Sequence, residues 1–192
     1  DTFGCRIPAE ADLDGDGTAE VIVEGGILDG ATGKTKTVFS PAMVGAFVIS
    51  DIDNNGKLDV VSSSYAYNYD GTKLVDTGKP GSYPAIGDFN KDGVPEVVVI
   101  NYSTHMTWVW NYDTTQKDNF KIVREPVDIN GSLNPSLCPS NTAGNTRGGG
   151  PPTVADFNAD GYPDIALAGG VGYAIFDGKK IICGATTGDI IS

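Results

Sequence analysis

Asp12-Leu-Asp14-Gly-Asp16-Gly-Thr-Ala-Glu20 runs straight into Val21-Ile-Val23, and the chain writes the same pattern three more times. The later copies are Asp51-Ile-Asp53-Asn-Asn55-Gly-Lys-Leu-Asp59, Asp88-Phe-Asn90-Lys-Asp92-Gly-Val-Pro-Glu96 and Asp156-Phe-Asn158-Ala-Asp160-Gly-Tyr-Pro-Asp164. Each copy carries oxygen side chains at positions 1, 3, 5 and 9 and Gly at position 6. Alternate residues of a tight loop can point at one ion, and a hard cation such as Ca²⁺ takes about six to eight oxygens. The glycine lets the chain turn where a Cβ would obstruct it. Position 7, occupied by Thr18, Lys57, Val94 and Tyr162, would offer its backbone carbonyl. No Cys or His falls inside a copy, so nothing suits a softer metal.

The EF-hand shares the opening spacing but needs a bidentate Glu at position 12. Here position 12 is Val23, Ser62, Val99 and Leu167. An EF-hand also continues into a helix. These copies continue as Val21-Ile-Val23, Val60-Val-Ser62, Val97-Val-Val-Ile100 and Ile165-Ala-Leu167, which are strand sequences. Dockerin-type loops fail for the same reasons. Metal-free acidic turns are the plain alternative, since Asp, Asn and Gly favour turns. Four copies in register favour calcium, and the crowded Asp12, Asp14, Asp16 and Glu20 would repel one another without a cation between them.

Composition agrees. The 192 residues fit one domain of ordinary size. Thirteen of the 25 acids lie at the expected metal positions, so four calcium ions would take the formal charge of −12 to about −4. An acidic chain offers no basic face to nucleic acid and no attraction to anionic lipid. No apolar run approaches the roughly 18 residues of a membrane span. The sequence starts at Asp1 without Met and is expected to be a mature, trimmed or partial chain. Weak sites of this kind need calcium near millimolar levels, which points to an extracellular or cell-surface location. Asn101-Tyr-Ser103 and Asn130-Gly-Ser132 are glycosylation sequons, a common chance triplet. Cys5, Cys138 and Cys183 make an odd count. One disulfide with one leftover thiol, Cys138 with Cys183 as the preferred pair, stands beside three buried free thiols as the alternative.

The copies begin at residues 12, 51, 88 and 156, intervals of 39, 37 and 68 residues. The first two intervals match one four-stranded propeller blade. A second mark keeps phase with the first: Leu28-Asp29-Gly30, Tyr69-Asp70-Gly71, Tyr112-Asp113-Thr114 and Phe176-Asp177-Gly178 read as hairpins. Each unit is therefore expected to hold four strands, in the second Ala46–Ser50, Leu58–Ser63, Ala66–Tyr69 and Lys73–Asp76. The acidic loop joins strands one and two, and no helical periodicity is evident. The units are expected at about residues 5–42, 43–80, 81–130 and 150–192. An insertion rich in Asn, Gly, Ser, Thr and Pro spans 126–152.

The acidic motif followed by a short apolar strand at blade spacing, most plainly Val154-Ala-Asp156-Phe-Asn-Ala-Asp-Gly-Tyr-Pro-Asp164-Ile165, resembles the FG-GAP/VCBS repeat family. That family includes the calcium-bearing blades of integrin α-subunit propellers. The resemblance covers nearly the whole chain. It implies an all-β fold, a β-propeller of four-stranded antiparallel blades, with calcium between the first two strands of each blade. It also implies backbone coordination at Thr18, Lys57, Val94 and Tyr162. Such propellers usually have seven blades, whereas this chain has material for four. The expected propeller is therefore a four-bladed ring or part of a larger one completed by blades from another chain.

No catalytic residue is assigned. The sole histidine, His105, falls in a turn with no Gly-x-Ser-x-Gly elbow anywhere. Gly30-Ala-Thr-Gly33-Lys34-Thr35 lacks the upstream glycine of a phosphate cradle, because Leu28 stands there. Trp108 and Trp110 are read as facing opposite sides of one strand, one packing between blades and the other able to stack on a sugar beside Tyr102 and Tyr112, with packing the preferred role. Tyr65, Tyr67 and Tyr69 are read with the same caution. No free carboxylate pair stands out for glycoside hydrolysis. The expected function is an extracellular adhesion or recognition module for a glycan or protein, with structural calcium. The alternatives are a subunit of a filament, surface layer or multi-chain assembly, or an enzyme resembling calcium-dependent polysaccharide lyases.

Overall fold

A computed structural model describes residues 7–129, 150–168 and 173–182. All three cysteines, Asn130 and most of the expected insertion lie outside the described residues. The chain divides into two compact units, Asp1–Pro80 with Tyr112–Phe120, and Gly81–Asn111 with Lys121–Ser192.

The first unit holds two four-stranded antiparallel sheets. One is ordered β1 (Ala9–Ala11), β2 (Glu20–Val23), β3 (Gly26–Asp29), β4 (Thr35–Val38). The other is β5 (Phe47–Ser50), β6 (Asp59–Ser62), β7 (Tyr65–Tyr67), β8 (Lys73–Asp76). The second strand of each sheet is a β-branched run (Val21-Ile-Val23, Val60-Val61) flanked by strands on both sides, and β6 is buried throughout. Leu13, Ile22, Ile27, Phe39, Met43, Phe47, Val60 and Tyr67 form one core. Tyr67 stacks on Phe39 with ring centroids 4.6 Å apart, and its hydroxyl donates to the Pro41 carbonyl at 2.6 Å. Tyr67 is thus a core residue with a satisfied polar tip.

In the second unit β9 (Tyr83–Gly87), β10 (Glu96–Ile100), β11 (Met106–Tyr112) and β12 (Phe120–Asp128) form a sheet in sequential order. β13 (Thr153–Ala155), β14 (Asp164–Ala168) and β15 (Tyr173–Phe176) form a three-stranded one. Phe89, Val98, Ile100, Val109, Ile129, Ile165, Leu167, Ala174 and Phe176 make its core.

The all-β reading holds, with four antiparallel sheets among the described residues, and three expectations are corrected. Asp177-Gly178 opens a short helix, α1 (Gly178–Ile182), instead of a hairpin. The Lys180 N–H donates to Asp177 Oδ1 at 3.3 Å, the contact of a helix N-cap, so Asp177 ends the strand by starting a helix. The fourth sheet accordingly has three strands among the described residues. β12 runs to Asp128, so residues 126–128 belong to a strand and not to the insertion. β12 is an edge strand of its sheet, the kind of strand in which a proline such as Pro126 is found. Trp108 and Trp110 are both buried, paired with Val99 and Val97. Residues two apart share a face of a strand, so the pair cannot split its roles, and neither ring is offered to a sugar.

Candidate metal centre

Each acidic copy forms the loop between the first two strands of its sheet. The four loops build the same hydrogen-bond network. The position 1 aspartate accepts from the backbone N–H groups of positions 5 and 6: Asp16 and Gly17 on Asp12, Asn55 and Gly56 on Asp51, Asp92 and Gly93 on Asp88, Asp160 and Gly161 on Asp156; Asp12 also accepts from the Gly15 N–H. The position 5 N–H also reaches the position 3 side chain, Asp14, Asp53, Asn90 or Asn158, at 2.8–3.2 Å. The position 5 side chain in turn accepts from the position 7 N–H of Thr18, Lys57, Val94 or Tyr162, at 2.7–2.9 Å. Three oxygen side chains thereby converge inside a loop held by their own backbone.

The backbone explains the spacing. Position 6 glycines Gly17, Gly56, Gly93 and Gly161 have φ between 85° and 89°, a region costly for any residue with a Cβ. Position 4 is also left-handed, at Gly15, Asn54, Lys91 and Ala159 with φ between 56° and 76°. The sequence gives little sign of that second turn, because only Gly15 and Asn54 suit the conformation.

Position 9 behaves differently from the rest. Glu20, Asp59, Glu96 and Asp164 begin the second strands and are 0–2 % exposed. One oxygen of each accepts the position 2 N–H, from Leu13, Ile52, Phe89 or Phe157, at 2.9–3.0 Å. The other oxygen distinguishes the loops. Glu20 Oε1 takes the Lys36 ammonium at 2.6 Å. Glu96 Oε1 takes Asn90 Nδ2 at 3.2 Å, and Asp164 Oδ1 takes the Gly178 N–H at 3.2 Å. Asp59 Oδ1 is buried with no hydrogen-bond partner.

A buried carboxylate oxygen without a partner is expensive to ionise. Burial, reinforced by Asp53 and Asp51, pushes the Asp59 carboxyl up to about 7. Burial likewise pushes Glu96 up to about 7, with Asp92 and Asp88 adding to the effect. A divalent cation reverses this, since it favours the ionised form and supplies the missing partner. The carboxylates of Asp51, Asp53 and Asp59 in the second loop are of the type that suits a hard cation. Carboxylate oxygens lie within 4.8 Å of one another in Asp51, Asp53 and Asp59, and also in Asp12, Asp14 and Glu20. These groups could hold a metal ion.

Adjacent loops touch within each unit. Lys57 Nζ donates to the Asp14 carbonyl at 3.1 Å and lies 4.2 Å from the Tyr69 ring centre. Lys91 and Lys179 ammoniums lie 4.6 Å and 4.3 Å from the Tyr162 ring centre. Lys36 and the position 2 residues were not legible as parts of the site, because nothing local in sequence marks them, and Lys57 was legible only through its backbone carbonyl. His105 is buried in its turn, with backbone bonds to Asn101 and Ile129 and φ of 56°. Tyr102 stands 40 % exposed on that same turn.

Residues 88–167 match the family model described as an FG-GAP-like repeat. The match covers 80 of the 192 residues. It spans the third and the fourth acidic loop, and the first two loops repeat its hydrogen-bond network. Among solved structures, the V. cholerae biofilm matrix protein Bap1 matches with a TM-score of 0.63 at 19 % identity, over 95 % of this chain and 27 % of that one. The rhamnogalacturonan lyase YesW matches with a TM-score of 0.49 at 16 % identity, over 91 % of this chain and 26 % of the other. The chain thus spans about a quarter of the length of either protein. The likeness to Bap1 is one of fold. No curated protein matches the sequence.

Proposed function

We propose that this chain is an extracellular calcium-binding module of β-propeller type, in which calcium is structural and the domain serves adhesion or recognition of a glycan or protein. The observation that carries the calcium reading is the buried, partnerless Asp59 Oδ1 in a loop that already gathers Asp51, Asp53 and Asn55. Supporting it, the same loop recurs at Asp12–Glu20, Asp88–Glu96 and Asp156–Asp164, giving up to four ions. Bound calcium would lock strands one and two of each sheet, so that binding free energy becomes folding free energy. The extracellular reading is supported by the calcium demand of such loops and by the fold shared with a biofilm matrix protein.

Thermal unfolding in millimolar calcium against excess EGTA tests the metal. A rise of several degrees with calcium is expected, and an unchanged midpoint sinks the reading. Saccharide and matrix-protein arrays run in calcium test the recognition role. Native mass by light scattering separates a free-standing module from one completed by other chains, since assembly would give a mass above the 20.0 kDa of this chain.

A further inference from the structure

By acid count the first loop, with Asp12, Asp14, Asp16 and Glu20, should take calcium first. The structure assigns it the opposite rank. Lys36 Nζ on β4 contacts Glu20 Oε1 at 2.6 Å and Asp14 Oδ2 at 3.2 Å. Both residues belong to the carboxylate cluster that could hold the ion. We infer that Lys36 is a tethered counter-ion that competes with calcium for the first loop, so that calcium fills the second loop before the first. The inference rests on the calcium reading above.

The two loops share the backbone hydrogen bonds of positions 5, 6 and 7 and differ most at position 9. In the first, position 9 has both oxygens partnered, by the Leu13 N–H and by an ammonium. In the second, one oxygen takes the Ile52 N–H and the other has nothing. Calcium entering the second loop gives the bare Asp59 oxygen a partner and meets no ammonium there, only the neutral Asn55 Nδ2 donating to Asp53 Oδ2 at 3.0 Å. Calcium entering the first must displace a charge-assisted pair to a buried carboxylate, among the stronger hydrogen bonds a protein makes. Lys36 is about one-third exposed on its side chain, so its flexible stem can carry the ammonium to water when an ion replaces it. At low calcium the first loop would then keep one of its four negative charges countered by Lys36, while nothing meets Asp59 Oδ1 in the second.

Amide NMR on the whole chain can read the loops separately, because the position 6 N–H donates to the position 1 carboxylate in each. In a calcium titration the Gly56 resonance is expected to move at lower calcium than Gly17. Lys36→Met should lower the Gly17 midpoint by about tenfold or more, since it removes a charged hydrogen bond, and leave Gly56 in place. Lys36→Arg, which keeps the cation, should leave Gly17 high. Lys73→Met removes the same charge from the Asp76 pair and controls for net charge. A Gly17 midpoint at or below that of Gly56 in the native chain, or one unmoved by Lys36→Met, overturns the inference while the calcium reading stands. If none of the four loop glycines responds to calcium, the calcium reading fails and takes this inference with it.

Discussion

Asp59 and Ile52 close the neck of the second loop: the Ile52 N–H donates to Asp59 Oδ2 at 3.0 Å, and Asp59 Oδ1 beside it has no partner. One carboxylate thus fastens the loop to β6 and leaves its other oxygen for an ion. Asp59→Asn keeps an acceptor for Ile52 but removes the charge. The variant is expected to lose the calcium response of the Gly56 amide. Its calcium-free form should be at least as stable at pH 7.5 as the native chain, because a costly buried charge is gone. A calcium-free midpoint several degrees below native would contradict this role.

Calcium-stripped protein should grow less stable as pH rises from about 4.5 to 7. Asp59 and Glu96 have folded pKa values raised to about 7, against ordinary values near 4. Between these limits the folded state binds more protons than the unfolded one, so stability falls with rising pH. Asp14, Asp29 and Asp70 are shifted downward, Asp14 by Lys36 and the others by threonine partners, so their contribution is lost only below about pH 4. Saturating calcium should abolish or reverse the slope. Melting curves across this range, with and without calcium, would show it.

Gly56→Ala tests the turn itself. Its φ is 86°, and a Cβ there would meet nothing within 4 Å. The cost is purely conformational and is expected at about 1–2 kcal/mol. Urea unfolding measures it, and a neutral result would mean the loop relaxes freely.

Gly30→Ala is expected to cost more, about 2–3 kcal/mol, as an overpacking change. Gly30 has no left-handed φ; a Cβ there would collide with the Ala19 carbonyl at position 8 of the first loop. Gly178 stands in the same relation to the Pro163 carbonyl of the fourth loop. At these two positions the glycine of the Asp-Gly mark therefore serves close approach to the acidic loop, whereas Gly71 has φ of 84° and faces Thr37. A cost no greater than that of Gly56→Ala, in the same urea assay, would refute this.

The local chemistry was legible because it repeats within nine residues. Alternating oxygens, the glycine at position 6 and the following Val/Ile run decide loop and strand together. Asp29-Gly30 and Asp70-Gly71 mark real hairpins, although each connection is five residues long, 30–34 and 68–72. Phe176-Asp177-Gly178 misled because the same letters cap a helix as readily as they turn a hairpin. Trp108 and Trp110 needed only the period of two to be placed on one buried face.

The sequence by itself determined the four acidic loops and the strands that flank them, because these depend on neighbours a few residues apart. Only the tertiary structure decided what meets the last oxygen of each loop. Lys36 reaches Glu20 from β4, sixteen residues on. Gly178 reaches Asp164 from beyond β15, and at Asp59 nothing arrives. Strand pairing brings those groups together, and burial then makes one unpartnered oxygen matter.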